Sequence, residues 1–483
     1  MRLAGALVVG ALLAASSFAA PAVTAAAEPM PASSAQPLDL PGAVRYALAH
    51  DPAVLTDRAT LEQAEEQFVQ DHAAEFPTLA GELQNQMQKT NGYAGGALLQ
   101  YGIQPETVFS LNTAEINSTW TFYNGAAQLA AQQAKRTVES DLDTLERAQQ
   151  QLAQDVATAW FTAVERRDAV NLASGDLTYQ KALLATAQAE EKVGRVAGVD
   201  VLRAQANALH SAANLVQAQA DDANALDALA QRIGAPPDTA FALPAALPEP
   251  PLPTTPLATL VTLAEAGRPD IGAARAQVAV ARLADAQIDT DLRPQFSLGG
   301  SFGNQTSPTA FGYAAQSAAQ SALIDRELGL PVGPTTIVRG VPGFWTIQAQ
   351  ETFTLPLMDY GTRHAKHRAA HAQIDAAVAQ LSSTQGAVAQ SVRQALRGAQ
   401  AASANLAYSK EADRLGAESA RIAQLQYRNG LISLTDVLSA QQTALTNAND
   451  LIAAHVSYLE SLIALRAAIG IVDPVALVEV GAF

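Results

Sequence analysis

The chain has 483 residues, a net charge of −16 and no cysteine. The acidic balance argues against nucleic acid as a partner. The missing thiols exclude a disulfide framework, a thiolate metal site and lipidation of an N-terminal cysteine. No run of 18 or more apolar residues follows the first 27, so the sequence predicts no transmembrane helix, and a membrane crossing would require a β-barrel.

Taken in chain order, Met1-Arg2, the apolar run Leu3–Ala20 and Ala25-Ala26-Ala27 read as a secretory signal peptide, residues 1–27, leaving Glu28–Phe483. A helical arm opens near Leu38 and bends at Pro52. At Pro77 the pattern changes to period two, Pro77-Thr-Leu79-Ala-Gly81-Glu-Leu83, which predicts a strand. Its partner is Ala114-Glu-Ile116-Asn-Ser118-Thr-Trp120-Thr-Phe122, so the strand pair occupies about 77–124. These strands read as about ten residues long with aromatics near their ends, enough to cross a bilayer when tilted. From Gly125 to Gly194 the sequence is rich in Ala, Gln, Leu and Glu and predicts a helical rod of about 100 Å. Leu142, Leu145, Gln149, Leu152, Val156 and Ala159 mark its seam, and Gly194 ends it as a left-handed cap. The chain returns to Gly234, then meets eight prolines between 236 and 256, which rule out helix and read as an extended linker. A second arm bends at Pro269, a second strand pair occupies about 294–360, and a second rod runs from Gly361 to Gly430. Its seam is Val388, Val392, Ala395, Ala399, Ala402 and Leu406, in steps of four and three.

The order of these parts is a duplication. Val193-Gly194 to Gln205 and Asn429-Gly430 to Gln441 stand 236 residues apart, as do Gly125 and Gly361, and Gly234 and Gly470. The arms repeat at 217, with Pro52 and Pro77 matching Pro269 and Pro294, so the second copy carries a 19-residue insertion before Gly361. The expected copies are 28–235 and 257–483, joined by 236–256. A period this long is no solenoid. It predicts a mainly α fold with membrane β, carrying an internal two-fold repeat. Four strands cannot close a barrel, and an open edge in lipid is forbidden, so several chains must contribute.

The residues that carry a family resemblance are Leu38-Asp-Leu-Pro-Gly-Ala-Val-Arg-Tyr-Ala-Leu-Ala-His-Asp51-Pro52, Leu263-Ala-Glu-Ala-Gly-Arg268-Pro269-Asp270-Ile271, Leu355-Pro356-Leu-Met-Asp-Tyr-Gly361, Tyr427-Arg-Asn-Gly430-Leu-Ile-Ser-Leu-Thr-Asp436-Val-Leu and Leu462-Ile-Ala-Leu-Arg-Ala-Ala-Ile-Gly470. In this order, over nearly the whole mature chain, they resemble the outer-membrane efflux protein family, the TolC-like exit ducts of Gram-negative bacteria. The resemblance implies a homotrimer whose chains complete a twelve-stranded transmembrane β-barrel in outer-membrane lipid. A long coiled-coil α-helical barrel would cross the periplasm. A periplasmic adaptor and an inner-membrane pump or type I exporter would dock at its far end. It implies passive conduction, no cofactor and no catalysis.

By the same resemblance the hairpin tips, turning at Gly194 and Gly430, hold the periplasmic gate. Tyr427 matches the family's gate tyrosine, Asp200 its hydrogen-bond partner and Asp436 an acidic ring residue. Ile432 stands where an arginine can tie the gate, and Ser439 where a second acidic ring can sit, so fewer polar latches are expected. Read from the residues alone, Ser433 and Asp436 form a capping box that also accounts for Asp436. Gly125 and Gly361 mark the strand–helix junctions.

His364, His367 and His371 share a helix face after Gly361 and could bind zinc. Arg363, Lys366 and Arg368 surround them and no carboxylate lies in that turn, which favours a hydrated basic band and no metal. Trp120 and Trp345 suit a bilayer interface, whereas Trp160 suits helix packing. No GxSxG or GxGxxG stands at a strand–helix turn, and no Walker loop or HExxH occurs, so no enzyme is expected. The alternative is a periplasmic helical-hairpin adaptor without a channel. It is disfavoured because two hairpins alternate with strand pairs and no lipoyl-like domain flanks one hairpin.

Overall fold

The computed structural model describes residues 36–91, 105–194, 196–236, 239, 241–244, 246–293, 295–307, 309–313, 326, 341–354 and 360–479. The signal peptide 1–27, Pro294, residues 355–359 of the second strand–helix junction and most of both inter-strand stretches lie outside these. The contacts divide the chain into two units, Met1–Asp51 with Val156–Pro248 and Pro52–Asp155 with Glu249–Phe483. The division follows packing rather than the sequence repeat, because its borders fall inside a long helix and inside the proline-rich segment.

The first unit begins with the short strand β1 (Gln36–Pro37) and helix α1 (Leu40–His50), capped by Asp39, whose carboxylate accepts from the Gly42 amide. The helix α3 (Gly125–Lys192) enters this unit at Val156, and α4 (Gly198–Ile233) runs back beside it. Trp160, Phe161, Val164, Leu229 and Ile233 are buried with Val44 and Ala47. The Trp160 indole N–H donates to the Leu38 carbonyl at 3.1 Å, so this tryptophan serves packing. Between α3 and α4 the Ser211 hydroxyl donates to the Asp176 carboxylate at 2.5 Å, a polar tie in a seam of small residues. The strand β4 (Phe241–Ala242) pairs in parallel with β1. The Arg167 guanidinium donates to the Leu243 and Pro244 carbonyls, holding this part of the proline-rich segment.

The second unit holds α2 (Pro52–Ala73), the first part of α3, α5 (Leu257–Gly267) and α6 (Pro269–Ile288) with its 3-10 extension Asp289–Leu292. It also holds α7 (Thr362–Arg428), α8 (Leu434–Ala468) and the short α9 (Pro474–Val478). Helix α7 has 67 residues, about 100 Å at 1.5 Å per residue. Its seam residues Val388, Val392, Ala399 and Leu406 are buried, and a core forms where Val388 and Val392 meet Leu260, Ala264, Ile271 and Ala468. The first-copy seam differs from expectation at two positions. Leu142 is 45% exposed, and Gln150 rather than Gln149 is fully buried. Gln150 is tolerated because its amide donates to the Ile471 carbonyl at 2.9 Å.

Helix α8 is the one described helix long and apolar enough to cross a membrane. Its apolar residues Leu459, Leu462, Ile463 and Leu465 are buried inside the protein, which accounts for its composition. Arg268 fixes the bend between α5 and α6. Its guanidinium grips Asp270 through two bonds of 3.0 and 2.6 Å and donates to the Ser391 hydroxyl and the Ala468 carbonyl. Pro250 accepts from the Tyr458 hydroxyl at 2.6 Å, and Glu249 pairs with Lys410, so this end of the proline-rich segment lies on α7 and α8.

The same unit carries a sheet of β2 (Thr78–Asn91), β3 (Pro105–Tyr123), β5 (Gln295–Ser307), β6 (Thr309–Tyr313) and β7 (Val341–Thr354). The order is β2-β3-β5-β7, antiparallel throughout, with β6 continuing beyond β5 along β3. The strands run 14, 19, 13 and 14 residues, longer than the ten read from the alternation. Backbone pairing continues past the alternating segments, to Asn91↔Glu106 in the first pair, because ladder hydrogen bonds do not require apolar side chains.

Candidate functional site

The register gathers most of the apolar side chains on one face of the sheet, with Ser118, Asn304 and Glu351 among them. Leu79, Gly81 and Leu83 of β2 share a face with Ala114, Ile116, Trp120 and Phe122 of β3. Phe296, Leu298 and Phe302 of β5 and Trp345, Ile347 and Phe353 of β7 join them. This face is largely apolar yet exposed: Leu83 is 87% and Ile347 81% accessible. The opposite face carries Thr78, Glu82, Gln84, Glu115, Asn117, Ser297, Ser301, Gln348 and Gln350. There Glu82 and Glu115 are direct cross-strand partners, and the Asn117 amide donates to both, at 3.2 and 3.1 Å. Like charges directly opposite each other repel, so the bridging amide offsets a cost that the sheet itself does not require.

Aromatic rings bracket the apolar face. Trp120, Phe122, Phe296 and Phe353 form a chain of contacts with centroids 4.8 to 5.9 Å apart at the helix-proximal end. The Trp120 indole donates to the Glu75 carbonyl at 3.0 Å. Phe302 stacks on Trp345 at 5.2 Å further along. The step from Phe296 to the level of Asn304, opposite Trp345, is about 27 Å along the strand, close to an apolar band between two interfacial girdles once tilted. Among the described residues neither β2 nor β7 has a second neighbour, so both edges of the sheet are open.

The junctions below the sheet differ between the two copies. Gly125 is the first residue of α3, under an Asn124 cap whose side chain accepts from the Ala127 amide. Gly361 instead stands at φ 86°, preceded by Tyr360 at φ 51°. The two glycines are equivalent in sequence but not in conformation, and two successive left-handed residues turn the second copy into its helix.

The helix tips are built as follows. Gly194 and Gly430 have φ of 72° and 73°, and at Gly430 two bonds close the helix end, from the Gly430 amide to the Tyr427 carbonyl and from Leu431 to Gln426. Tyr427 is buried one residue before the end of α7. Ile432 is half-buried in the turn. Asp436 is exposed but tied into a reciprocal capping box. It accepts from the Ser433 amide at 3.0 Å and hydroxyl at 2.7 Å, while its own amide donates to the Ser433 hydroxyl. These bonds, the hydroxyl first, hold its carboxyl below the usual carboxylate range. In the first-copy tip the equivalent cap is Ala197, which offers no side-chain bond. Asp200 there faces Arg203 at 3.7 Å instead.

The histidine face meets partners from another helix. His364 is exposed and lies apart, whereas His367 and His371 come together with Asp285 of α6, their ligand atoms all within 4.8 Å of one another. His367 Nδ1 lies 2.7 Å from Asp285 and Nε2 3.1 Å from Asp289, which also pairs with Arg363. The hydrogen bond to Asp285, then that to Asp289, raises the His367 pKa, and Arg363 followed by His367 lowers that of Asp289. The carboxylates that a single-helix reading lacks arrive from a helix 82 residues earlier. No periodicity in the second rod signals them.

A sheet with one lipid-like face and open edges, continuous with helical hairpins of this length, defines the outer-membrane channel class. The profile of the family "Outer membrane efflux protein" matches residues 43–235 and 260–471, and the chain belongs to that family. It is accordingly an outer-membrane protein and a conduit rather than an enzyme. No curated protein sequence matches the chain. Among solved structures it is similar to the outer membrane protein VceC of Vibrio cholerae (21% identity, 89% of this chain and 96% of that one, TM-score 0.67). It is also similar to the CmeC outer membrane channel of Campylobacter jejuni (20%, 89% and 85%, 0.69). A third is the open-state MtrE outer membrane channel of Neisseria gonorrhoeae (21%, 89% and 88%, 0.68). At these identities the likeness establishes the fold.

Proposed function

We propose that three copies of this chain close one twelve-stranded barrel in the outer membrane, each giving β2, β3, β5 with β6, and β7. The open edges β2 and β7 carry this reading, since an unpaired edge is not tolerated in lipid. The apolar face would meet lipid and the face bearing Glu82 and Glu115 would line the lumen. The long helices would continue the pore through the periplasm and receive a periplasmic adaptor and an inner-membrane pump or type I exporter at their tips. Substrates would move through passively.

The gate would lie at the tips, with Tyr427, Asp200, Asp436 and Ile432 as its residues and Gly194 and Gly430 as its turns. The capping box supports a stiff second tip, and the uncapped Ala197 a looser first one. The duplication into 28–235 and 257–483 is supported by left-handed caps at Gly194 and Gly430 and at Gly234 and Gly470, and by helix starts at Pro52 and Pro269. The test is conductance in planar bilayers. The detergent-purified protein should insert as discrete, equal steps. Absence of steps from protein that retains its helical signal would refute the channel reading.

A further inference from the structure

We propose that Asp285, His367 and His371 form a binding site for one divalent transition-metal ion, with Zn2+ as the best fit. His367 and His371 are separated by four residues on α7, so both rings project from one helix face on consecutive turns. Their centroids are 6.3 Å apart. Asp285 reaches the same point from α6, and the three ligand atoms lie within 4.8 Å of one another. Two ligands on a tetrahedral zinc stand about 3.3 Å apart, given metal–ligand bonds of about 2.0–2.1 Å. Closing the site therefore needs side-chain rotation only. His371 is exposed and His367 and Asp285 are about one-fifth accessible, so no buried packing resists that movement.

The surroundings fit a metal better than the sequence implied. The His367 ring already has carboxylates at both nitrogens, Asp285 at Nδ1 and Asp289 at Nε2. A zinc ion entering between Nδ1 and Asp285 takes the place of one ring proton, which leaves to solvent. The remaining N–H then donates to Asp289, the outer carboxylate that orients a metal-bound histidine. Asp289 also engages Arg363, so that charge is offset before the ion arrives. Two imidazoles and a carboxylate suit zinc and its neighbours better than magnesium or calcium. The bound ion would tie α6 to α7 directly below the sheet, where the chain turns from strand to helix. This inference involves one chain only and is independent of the trimer.

The test is calorimetric titration of ZnCl2 into the EDTA-stripped, full-length protein in detergent at pH 7 with excess Mg2+. One Zn2+ per chain is expected, with affinity reduced at least tenfold in His371→Ala and in the shape-preserving His371→Gln, and unchanged in His364→Ala. Co2+ should give visible ligand-field bands that His371→Gln loses while its helical circular dichroism stays intact. Wild-type thermal stability should rise with added zinc and that of His371→Gln should not. Absence of saturable binding, wild-type affinity in both His371 variants, or an equal loss in His364→Ala would each overturn the proposal.

Discussion

Gly470 and Gly430 offer a matched pair for testing how this chain turns. Both stand in the left-handed region, at φ 86° and 73°, and both close a helix with the same pair of backbone bonds. An alanine at either position carries the left-handed strain of an L-residue, about 1–2 kcal/mol. The positions differ in what a Cβ would meet. At Gly430 nothing lies within 4 Å. At Gly470 the Gly267 carbonyl carbon lies at 3.0 Å, the Arg268 nitrogen at 3.1 Å and the Arg268 Cγ at 3.0 Å. Those backbone atoms belong to the bend between α5 and α6, and Arg268 is anchored there by Asp270, Ser391 and the Ala468 carbonyl. They cannot move without disturbing the core around Ile271, so Gly470→Ala adds an overpacking cost of about 1–3 kcal/mol. Gly470→Ala should therefore destabilise by roughly 2–5 kcal/mol and Gly430→Ala by about 1–2 kcal/mol. Denaturant midpoints followed by circular dichroism in one detergent would compare them. Equal losses, or a larger loss for Gly430→Ala, would refute the packing argument.

Further outcomes follow from other contacts. Ile271→Ala removes a fully buried side chain from the α5–α6–α7 core and should cost about 2–5 kcal/mol, read as a lower denaturant midpoint. Ser211→Ala leaves the buried Asp176 carboxylate without its 2.5 Å donor and should cost about 1–3 kcal/mol, seen as faster amide exchange along α3 and α4 in the first unit. Asp436, whose pKa is lowered, adds stability to the second tip above the ordinary carboxylate value of about 3.9 and loses it as pH falls below that. Exchange protection at Ser433–Val437 should accordingly hold from neutral pH to about pH 4 and decline only below it; a decline starting near neutrality would contradict the assignment. Glu82→Gln with Glu115→Gln should shift the ion selectivity of the reconstituted pore away from cations, and unchanged selectivity would remove these residues from the lumen.

Much of the fold was legible because it repeats its spacing. The seam from Val388 to Leu406 announced itself by steps of four and three, and the strands by alternation around Phe296 and Ile347. The face opposite was equally readable, since period two assigns Glu82 and Glu115 to one side once the register is known. What the spacing left unread lies where three-dimensional partners decide. Gln150 is buried because the Ile471 carbonyl, 321 residues away, accepts its amide, which heptad counting cannot register. Gly125 and Gly361 align in sequence, yet Asn124 caps one helix while Tyr360 and Gly361 turn left-handed into the other. The histidines of α7 read as a basic band because their counter-charges, Asp285 and Asp289, sit on another helix.

The central claim is that the open edges of this sheet are closed by two further copies of the chain. Light scattering behind a sizing column, on protein extracted from outer membranes in detergent, measures it most directly. The account predicts a protein mass three times that of the mature chain. A monomer that stays soluble without detergent would contradict it.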